Sequence, residues 1–162
     1  MKQELVDMLG ECDKELADIE QRIKKLSAFD KEKLYLTNYA LIKACGTVEF
    51  IYRSIVADYF SKLNSDKIDK YIDTNIRSGS MSATYDNMSR LLGKFDDNWK
   101  KNFQNNVNQR GDKNKLISDS ESLVTNRHSF AHGKTPSATF SDIKRYYSSV
   151  VILIRILDKV VC

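Results

Sequence analysis

"LVDMLGECDKELADIEQRIKKL", Leu5 to Leu26, places Leu5, Leu9, Cys12, Leu16, Ile19, Ile23 and Leu26 at alternating steps of four and three. Apolar positions in one heptad register on an otherwise charged segment describe a helix lying along a neighbour. The helix is expected to end near Ser27–Asp30, where Asp30 can cap the next one ahead of Lys31, Glu32 and Lys33. A chain that opens this way is committed to helix packing from its first residues.

The same period continues outward. A second helix is expected from Lys31 to Leu63, with Leu34, Leu41, Cys45, Val48, Tyr52, Ile55 and Tyr59 in its stripe and Ile51 and Val56 widening it. Gly46 in its middle costs about 1 kcal/mol against alanine, which a closely packed helix would explain. "LNSDK" (Leu63–Lys67) reads as a turn and cap. A short helix through Ile68, Tyr71, Ile72 and Ile76 follows, ending at "RSGS". Tyr85, Met88, Leu91, Leu92 and Phe95 form another face, and Trp99 and Phe103 lead into a polar loop around Gly111. A helix from about Asn114 carries Leu116, Ile117, Leu123 and Val124. The last, after "TFSD", buries Phe140, Ile143, Tyr147, Val150, Val151, Ile154, Leu157 and Val161, with Thr139 or Ser141 as its cap. Period-two alternation of strand length and internal repeats are both absent. The expected architecture is an all-α bundle of five to seven helices, a single domain over residues 1–162.

Composition narrows the function classes. The chain has 162 residues, 41% hydrophobic and 30% charged, with one proline and six glycines, so few breakers interrupt its helices. A net charge of +4 permits an anionic partner without demanding one. The odd set Cys12, Cys45 and Cys162 contains no C-x-x-C, which argues against a disulfide framework or a zinc knuckle. "VVILIRIL" (Val150–Leu157) is interrupted by Arg155 and too short to span a bilayer. The charged, amphipathic start is unlike a secretory signal, and a cytoplasmic location with no membrane partner is expected.

Both histidines of the chain fall in "TNRHSFAHGKTPS", Thr125 to Ser137. Gly133 followed by Pro136 is a helix stop, so His132 belongs to the last turn. On a continuous helix Arg127 and His132 would diverge by about 140°. Three readings stand side by side. The basic side chains can cap the last carbonyls. His128 and His132, at i and i+4, have the spacing of paired zinc ligands, although Ser129 replaces the glutamate of H-E-x-x-H and a third ligand is missing. The third reading is phosphodiester chemistry, with the guanidinium stabilising phosphoryl charge and an imidazole moving a proton.

"RHSFAHG" resembles the R-x4-H motif of the HEPN superfamily, down to the polar neighbour of the arginine and the Ala-His-Gly end. "ALIKACGTVEFIYRSIVADYF" (Ala40–Phe60) and "FSDIKRYYSSVVILIRILDKVV" (Phe140–Val161) are similar to the second and closing helices of its RiboL-PSP-HEPN branch. The resemblance implies an endoribonuclease that needs no metal or other cofactor, in which the RNA's own 2′-OH attacks to leave a 2′,3′-cyclic phosphate. It implies Arg127 as the phosphate-binding arginine and His132 as the group that activates the 2′-OH or protonates the leaving 5′ oxygen. His128 stands where the family more often has asparagine or aspartate, an orienting position. The resemblance also implies a homodimer with a composite site, a toxin or antiviral defence setting, and an antitoxin or sensor partner. Where HEPN toxins paired with a nucleotidyltransferase antitoxin carry a tyrosine that receives nucleotides, two residues past the histidine, this chain has Lys134, so nucleotide transfer is not expected and a phosphate contact is. The alternative is a HEPN-like domain without catalysis, acting as a nucleotide- or RNA-binding or dimerisation module.

Two further features carry readings of their own. Glu49 can pair with Arg53 at i+4 or serve the site. Between Lys94 and Lys115, aromatic residues including Trp99 alternate with Lys100, Lys101 and other basic residues, a pattern that suits either base stacking or simple core packing.

Overall fold

The computed structural model describes residues 1–27, 30–61 and 66–161, and among them the chain is all-α. α1 covers Gln3–Lys24, α2 Lys31–Phe60, α3 Asp66–Ile72, α4 Tyr85–Gly93, α5 Asp97–Asn108, α6 Lys113–Ala131 and α7 Phe140–Val161. A single π turn, Asp73–Arg77, extends α3.

α2 is the central element and packs against α1, α6 and α7. Its register explains this. Ala40, Leu41, Ala44, Cys45, Val48, Ile51, Tyr52, Ile55, Val56 and Ala57 are all buried, so the middle of the helix is apolar around most of its circumference. The α1 stripe Leu5, Leu9, Cys12, Leu16 and Ile19 is buried as its heptad spacing requires. α7 closes the core with Ile143, Tyr147, Val150, Leu153, Ile154, Leu157 and Val161. α5 also packs against α7, and α4 packs against α5 and α6.

Local chemistry sets the starts. Asp30 accepts a bond from the Glu32 amide at 2.9 Å, the cap expected for α2. Thr84 caps α4 and Asp96 caps α5 through the Asn87, Asn98 and Trp99 amides. At α7, Thr139 and Asp142 form a reciprocal box, each side chain accepting from the other's amide. α7 therefore begins at Phe140, inside "TFSD" rather than after it.

Several expectations need correction. α1 ends at Lys24, earlier than Ser27–Asp30. α2 ends at Phe60; Leu63 and most of the turn expected at Leu63–Lys67 lie outside the described residues, as does Cys162. Leu34 is 47% exposed and Tyr59 38%, because the α2 stripe turns away from the core at both ends. Gly46 faces outward, and a Cβ there would meet nothing within 4 Å, so no packed helix requires the glycine. No helix among the described residues is long and apolar enough to cross a membrane.

Candidate functional site

α6 delivers the arginine–histidine stretch. Its buried Leu116, Leu123 and Val124 seat it on α2 and α7, which leaves Arg127 half-buried at the α2 side. Asn126, next in sequence, is buried at 8% exposure. Its Oδ1 accepts the Ser137 and Ala138 amides at 3.0 and 2.9 Å, and its Nδ2 donates to the Ser122 carbonyl. One side chain thus ties the returning loop to the helix that carries the motif.

The helix then stops in a Schellman turn. Gly133 adopts φ 71°, a left-handed conformation that side chains disfavour. The Gly133 amide bonds the Phe130 carbonyl and the Lys134 amide bonds the Ser129 carbonyl. His132 is the C-cap, its amide donating to the His128 carbonyl. Both imidazoles are exposed, with ring centroids 6.4 Å apart and planes only 11° from parallel.

Arg127 does not stand free. Its Nη2 donates to Glu49 Oε1 at 2.7 Å, an ion pair whose side chains are 26% and 16% exposed. Such a pair is less screened than a surface one. Burial lowers the affinity of the guanidinium for its proton, but the Glu49 and Cys45 hydrogen bonds and the Glu49 charge prevail and hold its pKa above the ordinary value. Beneath the pair the Cys45 Sγ lies 3.5 Å from Glu49 Oε1. Burial first, and then the neighbouring carboxylate, push this thiol up to about 12, so Cys45 is a neutral donor rather than a nucleophile at neutral pH.

The expected Glu49–Arg53 side-chain pair does not form. Arg53 Nε donates instead to the Glu49 backbone carbonyl at 2.9 Å, because the carboxylate is turned toward Arg127 on the facing helix. Arg53, Arg127 and His128 together line a polar cleft of about 460 Å³, with Glu49 and residues 78–82 as its other walls. His132 does not line it. Sequence reading missed Arg53 as a cleft residue, the 78–82 segment and the locking role of Asn126. The hint was the run "RSGSMS", whose serines and glycine are turn-like but not sufficient to place it against α2.

The remaining candidates lie elsewhere. Lys134 is exposed beside a smaller hollow of about 180 Å³ with Leu34, Asn38, Phe130, Gly133, Thr135 and Pro136. Trp99 is packed edge-on against Tyr59, with centroids 4.8 Å apart, in a cluster with Phe60 and Phe95. Lys100 runs its stem over Gly93, and Lys101 is exposed on α5. Among the described residues no group of three or more histidine, cysteine or acidic side chains is placed to hold a metal ion.

The RiboL-PSP-HEPN family model matches residues 7–162. No curated protein and no solved structure matches the chain. With an all-α bundle, an arginine–histidine helix end and a family match over nearly its whole length, the chain belongs to the RiboL-PSP-HEPN family.

Proposed function

We propose that the protein is a metal-independent endoribonuclease whose site is built on Arg127 and His132. The observation that carries this reading is the Glu49–Arg127 pair, 2.7 Å long, which fixes a phosphate-binding guanidinium at the edge of a polar cleft beside the histidine-bearing helix end. A held guanidinium stabilises charge as it develops on phosphoryl oxygens without having to reorganise.

In the proposed reaction the ribose 2′ oxygen attacks phosphorus and the bond to the 5′ oxygen breaks. The 2′-OH proton passes to a base, and the departing 5′ oxygen takes a proton from an imidazolium. His132 serves at one of these two transfers. His128, inside the cleft with Arg127, orients the phosphate. The product is a 2′,3′-cyclic phosphate, and DNA is excluded because it lacks the nucleophile.

The working form in this reading is a homodimer. His132 lies outside the cleft that Arg127 lines, so a second motif helix across a two-fold axis is the source of the missing geometry. Exposed Leu34 and Phe130, at 47% and 38%, flank the motif end and suit such a contact. The setting we assign, by family, is a toxin or defence effector with an antitoxin or sensor partner.

Purified protein incubated with structured RNA in EDTA, beside Arg127→Ala and His132→Ala, tests the reading. Cleavage lost in both variants but insensitive to chelator supports it. Equal cleavage by all three preparations sinks it. A second reading, nucleotide or RNA binding without turnover, draws on the same pair, since an arginine already bonded to Glu49 suits static phosphate capture. Binding abolished by Arg127→Ala, with no cleavage by the parent, would favour it.

A further inference from the structure

The cleft beside Arg127 has a second cationic wall that neither the R-x4-H motif nor the chemistry above uses. Glu49 anchors two guanidinium groups at once: its carboxylate holds Arg127 at 2.7 Å, and its backbone carbonyl holds Arg53 at 2.9 Å. Only Arg127 receives a counter-charge. Arg53 forms no ion pair among the described residues, and it spends Nε on a neutral carbonyl. Two guanidinium groups therefore face one carboxylate in the cleft, and the excess is positive.

The opposite wall is built to stay in place. Tyr52, fully buried, donates its hydroxyl to the Met81 and Ser82 carbonyls at 2.9 and 3.2 Å. Asn87 grips the same segment through the Ser82 carbonyl and hydroxyl. At its start the Ser78 amide bonds the Asp73 carbonyl, and a Cβ on Gly79 would come within 2.6 Å of the Asn75 carbonyl oxygen, so the chain passes there only as glycine. Pinned at both ends, the segment exposes Ser78 and Ser80, whose hydroxyls have no partner among the described residues. A fixed cation opposite free hydroxyl donors is the donor set of a phosphate contact.

We infer that the Arg53 side of this cleft, between α2 and residues 78–82, is a subsite for the RNA backbone phosphate adjoining the one that is cleaved. Arg53 supplies its charge and Ser78 and Ser80 its neutral donors. This rests on the ribonuclease reading for which phosphate is cleaved, but not for whether phosphate is bound.

The test is fluorescence anisotropy with a labelled 2′-O-methyl oligoribonucleotide, which can bind but has no free 2′-OH, titrated at several salt concentrations. Arg53→Gln is expected to weaken binding about tenfold at low salt and to reduce the slope of log K against log salt by about one. Arg53→Lys should keep the slope, and exposed Ser80→Ala, which disturbs no intramolecular bond, should weaken binding about threefold with the slope unchanged. In cleavage assays the Arg53→Gln loss is expected in KM. If the parent binds no oligonucleotide, or if Arg53→Gln and Ser80→Ala bind with the parent's affinity and slope, the subsite is wrong. Arg53-dependent binding without any cleavage would refute the ribonuclease reading and leave the subsite standing. Normal cleavage with no dependence on Arg53 would do the reverse.

Discussion

Glu49 and Arg127 lie 78 residues apart in the chain and 2.7 Å apart in the fold, and this ion pair joins α2 to the motif end of α6. It couples the central helix of the bundle to the residue on which phosphate chemistry would rest.

Glu49→Gln keeps the shape and removes the charge. The guanidinium loses its charge-assisted anchor, and kcat is expected to fall about tenfold to a hundredfold through misplacement. The partly exposed pair contributes only about 1 kcal/mol to folding, so melting temperature should shift little. Full activity in Glu49→Gln would show that Arg127 is positioned by something else.

Arg127→Lys separates charge from geometry. A lysine retains the positive charge but lacks the planar fork that bonds Glu49 and, in the proposed reaction, a phosphate as well. Its kcat is expected to drop roughly a hundredfold, close to the alanine variant. Near-parental turnover would mean that charge alone suffices.

The two histidines should differ in consequence. In the proposed reaction His132→Ala removes the proton-transfer group and is expected to cost at least about a hundredfold. His128→Asn should cost under about tenfold, since asparagine still offers a donor and an acceptor. Steady-state rates on one RNA compare the pair, and the opposite ranking would reassign the proton-transfer role to His128.

Cys45 reports on the environment of the pair through alkaline stability. Its thiol is raised to about 12 in the folded chain against an ordinary 9.0. Well below pH 9 the thiol is neutral in both states. As pH rises from 9 toward 12 the unfolded chain releases this proton while the folded chain keeps it, so folding stability falls. Between pH 8.5 and 10.5 the melting temperature should drop more steeply in the parent than in Cys45→Ala. Parallel curves would contradict the burial of this thiol against Glu49.

Asn126→Ala should cost about 1–3 kcal/mol by leaving the Ser137 and Ala138 amides without their acceptor. The loop holding Gly133 and Pro136 would then loosen, and faster amide exchange at residues 137 and 138 is the check. Protection equal to the parent's would show that the loop holds itself.

Helix count, the α1 stripe and the Gly133 stop were legible because each follows from local spacing or backbone conformation. The arginine–histidine stretch stood out through its resemblance to the R-x4-H motif, since local spacing left capping, zinc and phosphate readings open. What the sequence did not reveal is long-range and polar. Glu49 has a basic residue at i+4, and local rules favour that partner, yet the carboxylate turned to an arginine on another helix. Gly46 looked like a packing site, but helical periodicity does not say which face of a largely apolar helix meets a neighbour. Trp99 and its basic neighbours fit two patterns equally, and only the positions of Tyr59 and Phe60 showed that the ring is engaged within the bundle. Arg53 became visible as a cleft residue only once residues 78–82 had folded back against α2.

The most direct measurement is the chemistry of the cut ends. RNA digested by the protein in excess EDTA, with fragments identified by mass spectrometry, should carry 2′,3′-cyclic phosphate and 5′-hydroxyl ends, and Arg127→Ala should yield none. Fragments with 3′-hydroxyl and 5′-phosphate ends, or cleavage that stops when metal is chelated, would contradict the account.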